Sequence, residues 1–103
     1  MALKCNWTGA SGEKYEYEIY QIGTNWNDVP GNYIFARESS PRTWQALYIG
    51  ETESFKDRLP HHNELPCITR HEGTHIHVHI NRDSQARLKE EKDLLDNMST
   101  LCN

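Results

Sequence analysis

A chain of 103 residues buries one apolar core and leaves little for a second, which excludes a separate recognition domain within these residues. Apolar residues at 36% and charged residues at 25% exclude a disordered chain. A formal net charge of -4 excludes a broadly basic surface, so any phosphate contact has to come from a local patch, a metal ion or a partner.

The three cysteines, Cys5, Cys67 and Cys102, form an odd, scattered set without a C-x-x-C pair. That argues against a disulfide framework and a zinc ribbon, and predicts reduced thiols in a cytoplasm. No apolar run approaches the ~18 residues of a membrane span, and Met1 to Trp7 lack the basic and apolar regions of a signal peptide. A soluble, cytoplasmic protein with no membrane contact is the expectation.

The first element is a strand over Lys14 to Tyr20, with Tyr15, Tyr17 and Ile19 on one side and acids on the other. It is expected at a sheet edge, where it could dock a protein partner or a second copy as a homodimer. Asn32 to Ala36 and Trp44 to Ile49 then predict a hairpin, with a rather long turn over Glu38 to Thr43. Thr52 is placed to cap a short helix running to Leu59, with Glu53 at its positive end, Arg58 near its C-terminus and Pro60 discouraging continuation.

His61 to Gly73 reads as a turn-rich connection, and Thr74 to Ile80 alternates as another strand whose apolar side is Thr74, Ile76, Val78 and Ile80. His75, His77 and His79 share its other side, and with His71 nearby they offer transition-metal ligands by type. Positions two apart along a strand diverge too far to share one ion easily, so a solvated or DNA-facing surface is expected, positive below pH ~6.5. From Asp83 or Ser84 to Met98 the chain fits an amphipathic helix, with Leu88, Leu94, Leu95 and Met98 on one face. Glu91 falls in the middle of that face, whereas Lys89, Glu90 and Asp93 fall opposite. A carboxylate on an apolar stripe is costly to ionise without a cation or good hydrogen bonds, which singles out Glu91. Pairing with Arg87, four residues earlier, is its structural alternative.

Several short motifs now fall in order: Gly31-Asn32-Tyr33, Tyr48-Ile49-Gly50, Arg58 ten residues beyond Tyr48, His62 four further on, and Glu91 followed twelve residues later by Asn103. Over residues 31–103 the chain resembles the GIY-YIG endonuclease family. The resemblance implies one nuclease-like domain over 1–103, with 1–30 an N-terminal extension carrying an edge strand and 31–103 the motif-bearing core. It implies an α+β fold: a small, mainly antiparallel sheet of three core strands plus an N-terminal extra strand, flanked by helices. The implied activity is metal-dependent hydrolysis of DNA phosphodiesters, by recognition of DNA structure or through a targeting partner. Tyr33 would be the general base or its relay with Tyr48 beside it, Arg58 would bind the scissile phosphate, Glu91 would hold Mg²⁺ or Mn²⁺, His62 would join the site, and Asn103 would fix it. Gly31 and Gly50 are the motif glycines.

This sequence departs from the family pattern at Asn32, in place of an aliphatic, and at Thr100 and Cys102, in place of a proline and an aromatic. Glu51 stands where many relatives carry a lysine, which removes a phosphate contact. Taken singly, Tyr33 and Tyr48 are ordinary strand aromatics, Arg58 a solvated helix charge and His62 an N-cap or surface residue; their joint order and spacing lifts the set. The competing functions are a catalytically weak or inactive nucleic-acid- or protein-binding module of the same fold, and a histidine-strand metal-binding regulatory protein.

Overall fold

The alternating segments pair into one curled, entirely antiparallel sheet of five strands, seen in a computed structural model that describes residues 3–103. β1 (Leu3–Thr8) and β2 (Lys14–Gln21) form one hairpin, and β3 (Gly31–Ser40) and β4 (Thr43–Thr52) form another. β5 (His75–Ile80) lies between the hairpins, giving the order β1-β2-β5-β3-β4. The architecture is α+β, as the sequence predicts.

Each sheet face has its own core. On one, Tyr33, Phe35, Leu47, Ile76 and Val78 pack against Phe55 of α1 (Phe55–Arg58), Leu59 of the 3₁₀ turn that follows (Leu59–His61) and Ile68 of α2 (Leu65–Arg70). On the other, Tyr15, Tyr17, Ile34, Ala46 and Ile49 pack against Leu94 of α3 (Ser84–Asn97). The α3 N-cap is Asp83, whose carboxylate accepts from the backbone N–H groups of Gln85 and Ala86.

Several expectations are corrected. There are five strands rather than four, because Leu3, Cys5 and Trp7 alternate with polar residues over a segment too short to read with assurance from sequence. β1 takes the edge, so Tyr15 to Tyr20 lies inside the sheet between β1 and β5 and cannot be the docking edge. The β3-β4 turn is tight rather than long, confined to Pro41 and Arg42, with Arg42 at φ 59°. Ser54, not Thr52, caps α1: its hydroxyl accepts from Asp57 N–H, while Thr52 accepts from Ser54 N–H. The connection from His61 to Gly73 contains α2.

The largest corrections concern polar groups. The histidine face of β5 is not a solvated surface: His77 is fully buried and His79 meets the buried carboxylate of Glu90, 3.0 Å away. In α3 the buried residues are Arg87, Glu90 and Leu94, whereas Leu88 is half exposed. Glu90 therefore shares the inner face from which helical periodicity excluded it. Tyr17 Oη donates to it, and His79 holds it from the next strand, partners that offset the burial of its charge. The expected reduced thiols are also corrected, since Cys67 of α2 is disulfide-bonded to Cys102, leaving Cys5 free.

Candidate active site

The hairpin of β3 and β4 brings the two motif tyrosines together. Tyr33 points to the face covered by α1 and α2, and its cross-strand partner is Gly50. A side-chain carbon at Gly50 would lie 2.6 Å from the Tyr33 hydroxyl and 2.9 Å from the Tyr48 ring, so only glycine leaves room for both phenols. Register then passes from Phe35↔Tyr48 to Ala36↔Ala46, making Leu47 an extra residue of β4. This bulge keeps Leu47 and Tyr48 on the same side of the sheet. The rings of Tyr33 and Tyr48 stack at 6.0 Å and 16°.

His62, only 3% exposed, closes the pair from above: its Nε2 lies 2.8 Å from Tyr33 Oη and its ring packs 4.5 Å from that of Tyr48. It follows the 3₁₀ turn and is buried rather than on the surface, and the N-cap of α2 is Glu64. Burial, aided by the charge of Arg58, lowers its pKa to about 4, so the ring is neutral at pH 7. The backbone N–H of Glu64 donates to His62 Nδ1 at 3.1 Å. The proton of the neutral ring is therefore on Nε2, and His62 donates to the Tyr33 oxygen.

Arg58, at the end of α1, lies near both phenols. Burial opposes its charge, but polar contact with Tyr33 and Tyr48 outweighs this and raises its pKa. Asn63 steadies the guanidinium, accepting from Arg58 Nη2 at 2.9 Å. Tyr33 itself is pushed above the ordinary phenol range, chiefly by burial and against the pull of Arg58, with the neighbouring Tyr48 and Glu91 adding to the rise. At rest it is a neutral phenol, hydrogen-bonded to His62 and under the influence of the Arg58 charge.

Glu91 comes from the other side of the sheet but lies close enough for its charge to act on Tyr33. Half-buried on α3, it lies near Glu51 of the outer strand β4; burial and the Glu51 carboxylate raise its pKa, and the Glu51 backbone amide opposes the rise. Arg87 is not the partner of Glu91: its Nε donates to Glu51 at 2.9 Å and its Nη1 to the Asn81 carbonyl at 3.0 Å. Asn32 does point away from Tyr33, as its place in the strand predicts, and donates from Nδ2 to the Arg87 carbonyl at 2.9 Å. Two carboxylates, Glu51 and Glu91, are thus near enough for one to raise the pKa of the other, and the Arg87 guanidinium is held by Glu51.

That donor chemistry fits a hard divalent ion. Magnesium takes one or two protein carboxylates and keeps several waters, and the mutual repulsion of Glu51 and Glu91 is what a cation relieves. Among the described residues, no group of three or more His, Cys, Asp or Glu side chains converges on one point. The β5 histidines in particular turn to different partners: His75 Nδ1 to Thr74 Oγ1 at 2.8 Å, His77 Nδ1 to Trp7 Nε1 at 2.9 Å, and His79 to Glu90.

Asn103 is pinned to β4 rather than frayed. Its Oδ1 accepts from Ile49 N–H and its Nδ2 donates to the Ile49 carbonyl, both at 2.8 Å. It therefore fixes the strand beside Tyr48 and does not reach the phenols through these contacts. Gly31 is packed under the His79 carbonyl and the ring of Phe55, with no space for a side chain. Sequence reasoning missed Asn63, which no periodicity marks, and the closeness of Glu51 to Glu91, for which the only signal was an acid directly after Gly50. Comparison with protein-family models, curated proteins and solved structures gave no match.

Proposed function

We propose that this protein is a metal-dependent endonuclease that hydrolyses DNA phosphodiester bonds in the manner of the GIY-YIG nucleases it resembles. The observation that carries the reading is the company kept by one buried phenol. His62 Nε2–H donates to the Tyr33 oxygen, and the nearby Arg58 guanidinium offsets part of the cost that burial puts on forming a phenolate there.

In this reading the Tyr33 phenol first loses its proton to solvent, and the phenolate, stabilised by Arg58 and by His62, then takes a proton from the attacking water and returns to the phenol. His62 stays neutral and acts as a donor, not as the base. Arg58 uses its planar fork to hold the scissile phosphate against Tyr33, with Asn63 fixing its orientation. Tyr48 stacks on Tyr33 and lies near enough to the same guanidinium to favour its charge. Glu91, with Glu51 beside it, would hold a Mg²⁺ or Mn²⁺ ion, which supplies charge neutralisation for the phosphate and the departing oxygen. Because Tyr33 is protonated at rest, the rate should climb with pH as its phenolate fraction grows.

Divalent-ion-dependent nicking of supercoiled plasmid, and cleavage of branched and single-stranded DNA, tests the proposal. Tyr33→Phe and Glu91→Gln are each expected to reduce the rate by about 10²-fold to 10⁴-fold, the usual contribution of a positioned proton-transfer group. Cleavage that persists at the wild-type rate in both variants would refute the mechanism.

A further inference from the structure

A large cleft among the described residues adjoins the tyrosine site without belonging to it. It has a volume of about 540 Å³, within the range of small-molecule ligand pockets. Its walls are Trp26 from the segment between β2 and β3, Phe35 of β3, Ile76 of β5 and Leu59 of the 3₁₀ turn; Asn25 and Lys56 lie at its rim. Phe35 is the link to the chemistry. It lines the cleft, and its ring lies 5.8 Å from that of Tyr33 and 5.2 Å from that of His62. Leu59 follows Arg58 directly, and Lys56 projects from the same short helix.

The charge of this cleft runs against that of the protein. Four other clefts, of 210 to 320 Å³, each carry at least one carboxylate in their lining: Glu13 and Glu90, Glu18, Asp93 and Asp96, or Glu38. The lining of the large cleft has none, and its one charged group is Lys56. We infer that it receives an unpaired base of the DNA strand whose neighbouring phosphate lies on Arg58, the base stacking on Trp26 with Lys56 facing the next phosphate. The inference rests on the nuclease reading and specifies its substrate as DNA with single-stranded character. Bases in a duplex are stacked inward and cannot enter an apolar cleft, whereas an unpaired base has a free face for an aromatic side chain. Stacking also answers the problem of net charge: a chain at -4 gains little from phosphate contacts, and base stacking supplies affinity that salt does not screen.

The test is equilibrium binding, by fluorescence anisotropy in EDTA so that nothing is cleaved, of a labelled thymidine oligonucleotide of about eight residues and of a hairpin duplex of similar length. Single strand is expected to bind at least ~10-fold more tightly than duplex, with a shallow dependence on salt between ~50 and ~200 mM. Trp26→Ala should weaken single-strand binding ~10-fold, the effect of losing one stacked base, and leave duplex binding unchanged. Trp26 also packs on Tyr20 and Phe55, so Trp26→Phe and the exposed-site variant Lys56→Ala serve where the alanine variant is misfolded; each should weaken single-strand binding several-fold. Equal affinity for the two DNA forms, or no change in folded Trp26→Phe and Lys56→Ala, would overturn the inference. Cleavage assays separate the two ideas. Strand preference without cleavage of any DNA removes the nuclease reading alone, and duplex cleavage unaffected by the Trp26 variants removes the base-binding cleft alone.

Discussion

Reducing the Cys67–Cys102 bond should destabilise the protein severely. The two residues are 35 apart in sequence and their Cα atoms lie 5.8 Å apart. Closing a loop of that length restricts the unfolded chain by an entropy equivalent to about 4 kcal/mol at 25 °C. Losses beyond the bond itself follow from its position, because Cys102 N–H donates to the Leu47 carbonyl and Asn103 holds Ile49. With a urea slope of ~2 kcal/mol per molar, typical of small domains, the unfolding midpoint should fall by about 2 M. The assay is tryptophan fluorescence in urea, comparing oxidised protein, protein with reductant, and Cys67→Ser. Cys5→Ser is the control: its thiol lies 3.3 Å from His77 Nδ1 and spans no loop, so it should change the midpoint far less. Denatured, unreduced protein should titrate one thiol per chain. Three thiols, or one midpoint in all conditions, would refute the reasoning.

Acid should destabilise the fold in a defined window. Burial holds His62 and His77 at about 4, below the ~6.5 of an exposed imidazole, so the unfolded chain binds protons that the folded chain refuses. Their contribution is fully present above pH ~6.5 and shrinks as pH falls towards 4, by about 3 kcal/mol for each group. His79, whose pKa the Glu90 hydrogen bond raises, gains stability on acidification and offsets part of this loss. A urea midpoint unchanged between pH ~7.5 and ~4.5 would contradict neutral burial. Gly50→Ala should displace the Tyr33 phenol, costing about 1–3 kcal/mol of stability and most of any nicking activity while the far-ultraviolet circular dichroism is retained. A wild-type nicking rate in that variant would show that the phenols do not need their observed stacking. Arg87→Met should destabilise by about 3 kcal/mol, since it strands the Glu51 carboxylate, and adding Glu51→Gln should recover most of the loss in a double-mutant cycle.

The elements most legible in the sequence are those whose burial pattern is made by their own side chains. Tyr15, Tyr17, Ile34, Ile76 and Val78 alternate because each strand has one face against a core, and their strands fall where alternation puts them. Legibility ends where a distant residue supplies the environment. His77 lies in a strand whose histidines read as a polar face, and it is buried because Trp7 and Trp44, whose rings lie 5.6 and 4.6 Å away, close over it. Glu90 is buried for the same kind of reason, its partners Tyr17 and His79 coming from two different strands. Apolar periodicity cannot register a carboxylate whose hydrogen bonds are made by another element. Within the site, the order and spacing shared with the GIY-YIG pattern put Tyr33, Tyr48, Arg58 and His62 forward, and the structure gathers them in one place. Spacing could not reveal that His62 donates rather than accepts, which depends on Glu64 N–H. Nor could it reveal that the disulfide anchors the segment bearing Asn103.

The outer margin of β4 has a further consequence. A terminal strand ordinarily leaves every second residue with backbone groups free to recruit another chain. Here Leu47 and Ile49 belong to such an alternate set, and the C-terminal segment already engages them: Cys102 N–H takes the Leu47 carbonyl, and the Asn103 amide takes both backbone groups of Ile49. A strand from a neighbouring molecule finds the middle of this margin occupied, so fibre-like self-addition along the tyrosine hairpin is hindered. Any growth of the sheet is directed to the opposite margin, at β1, where the charged Lys4 stands guard.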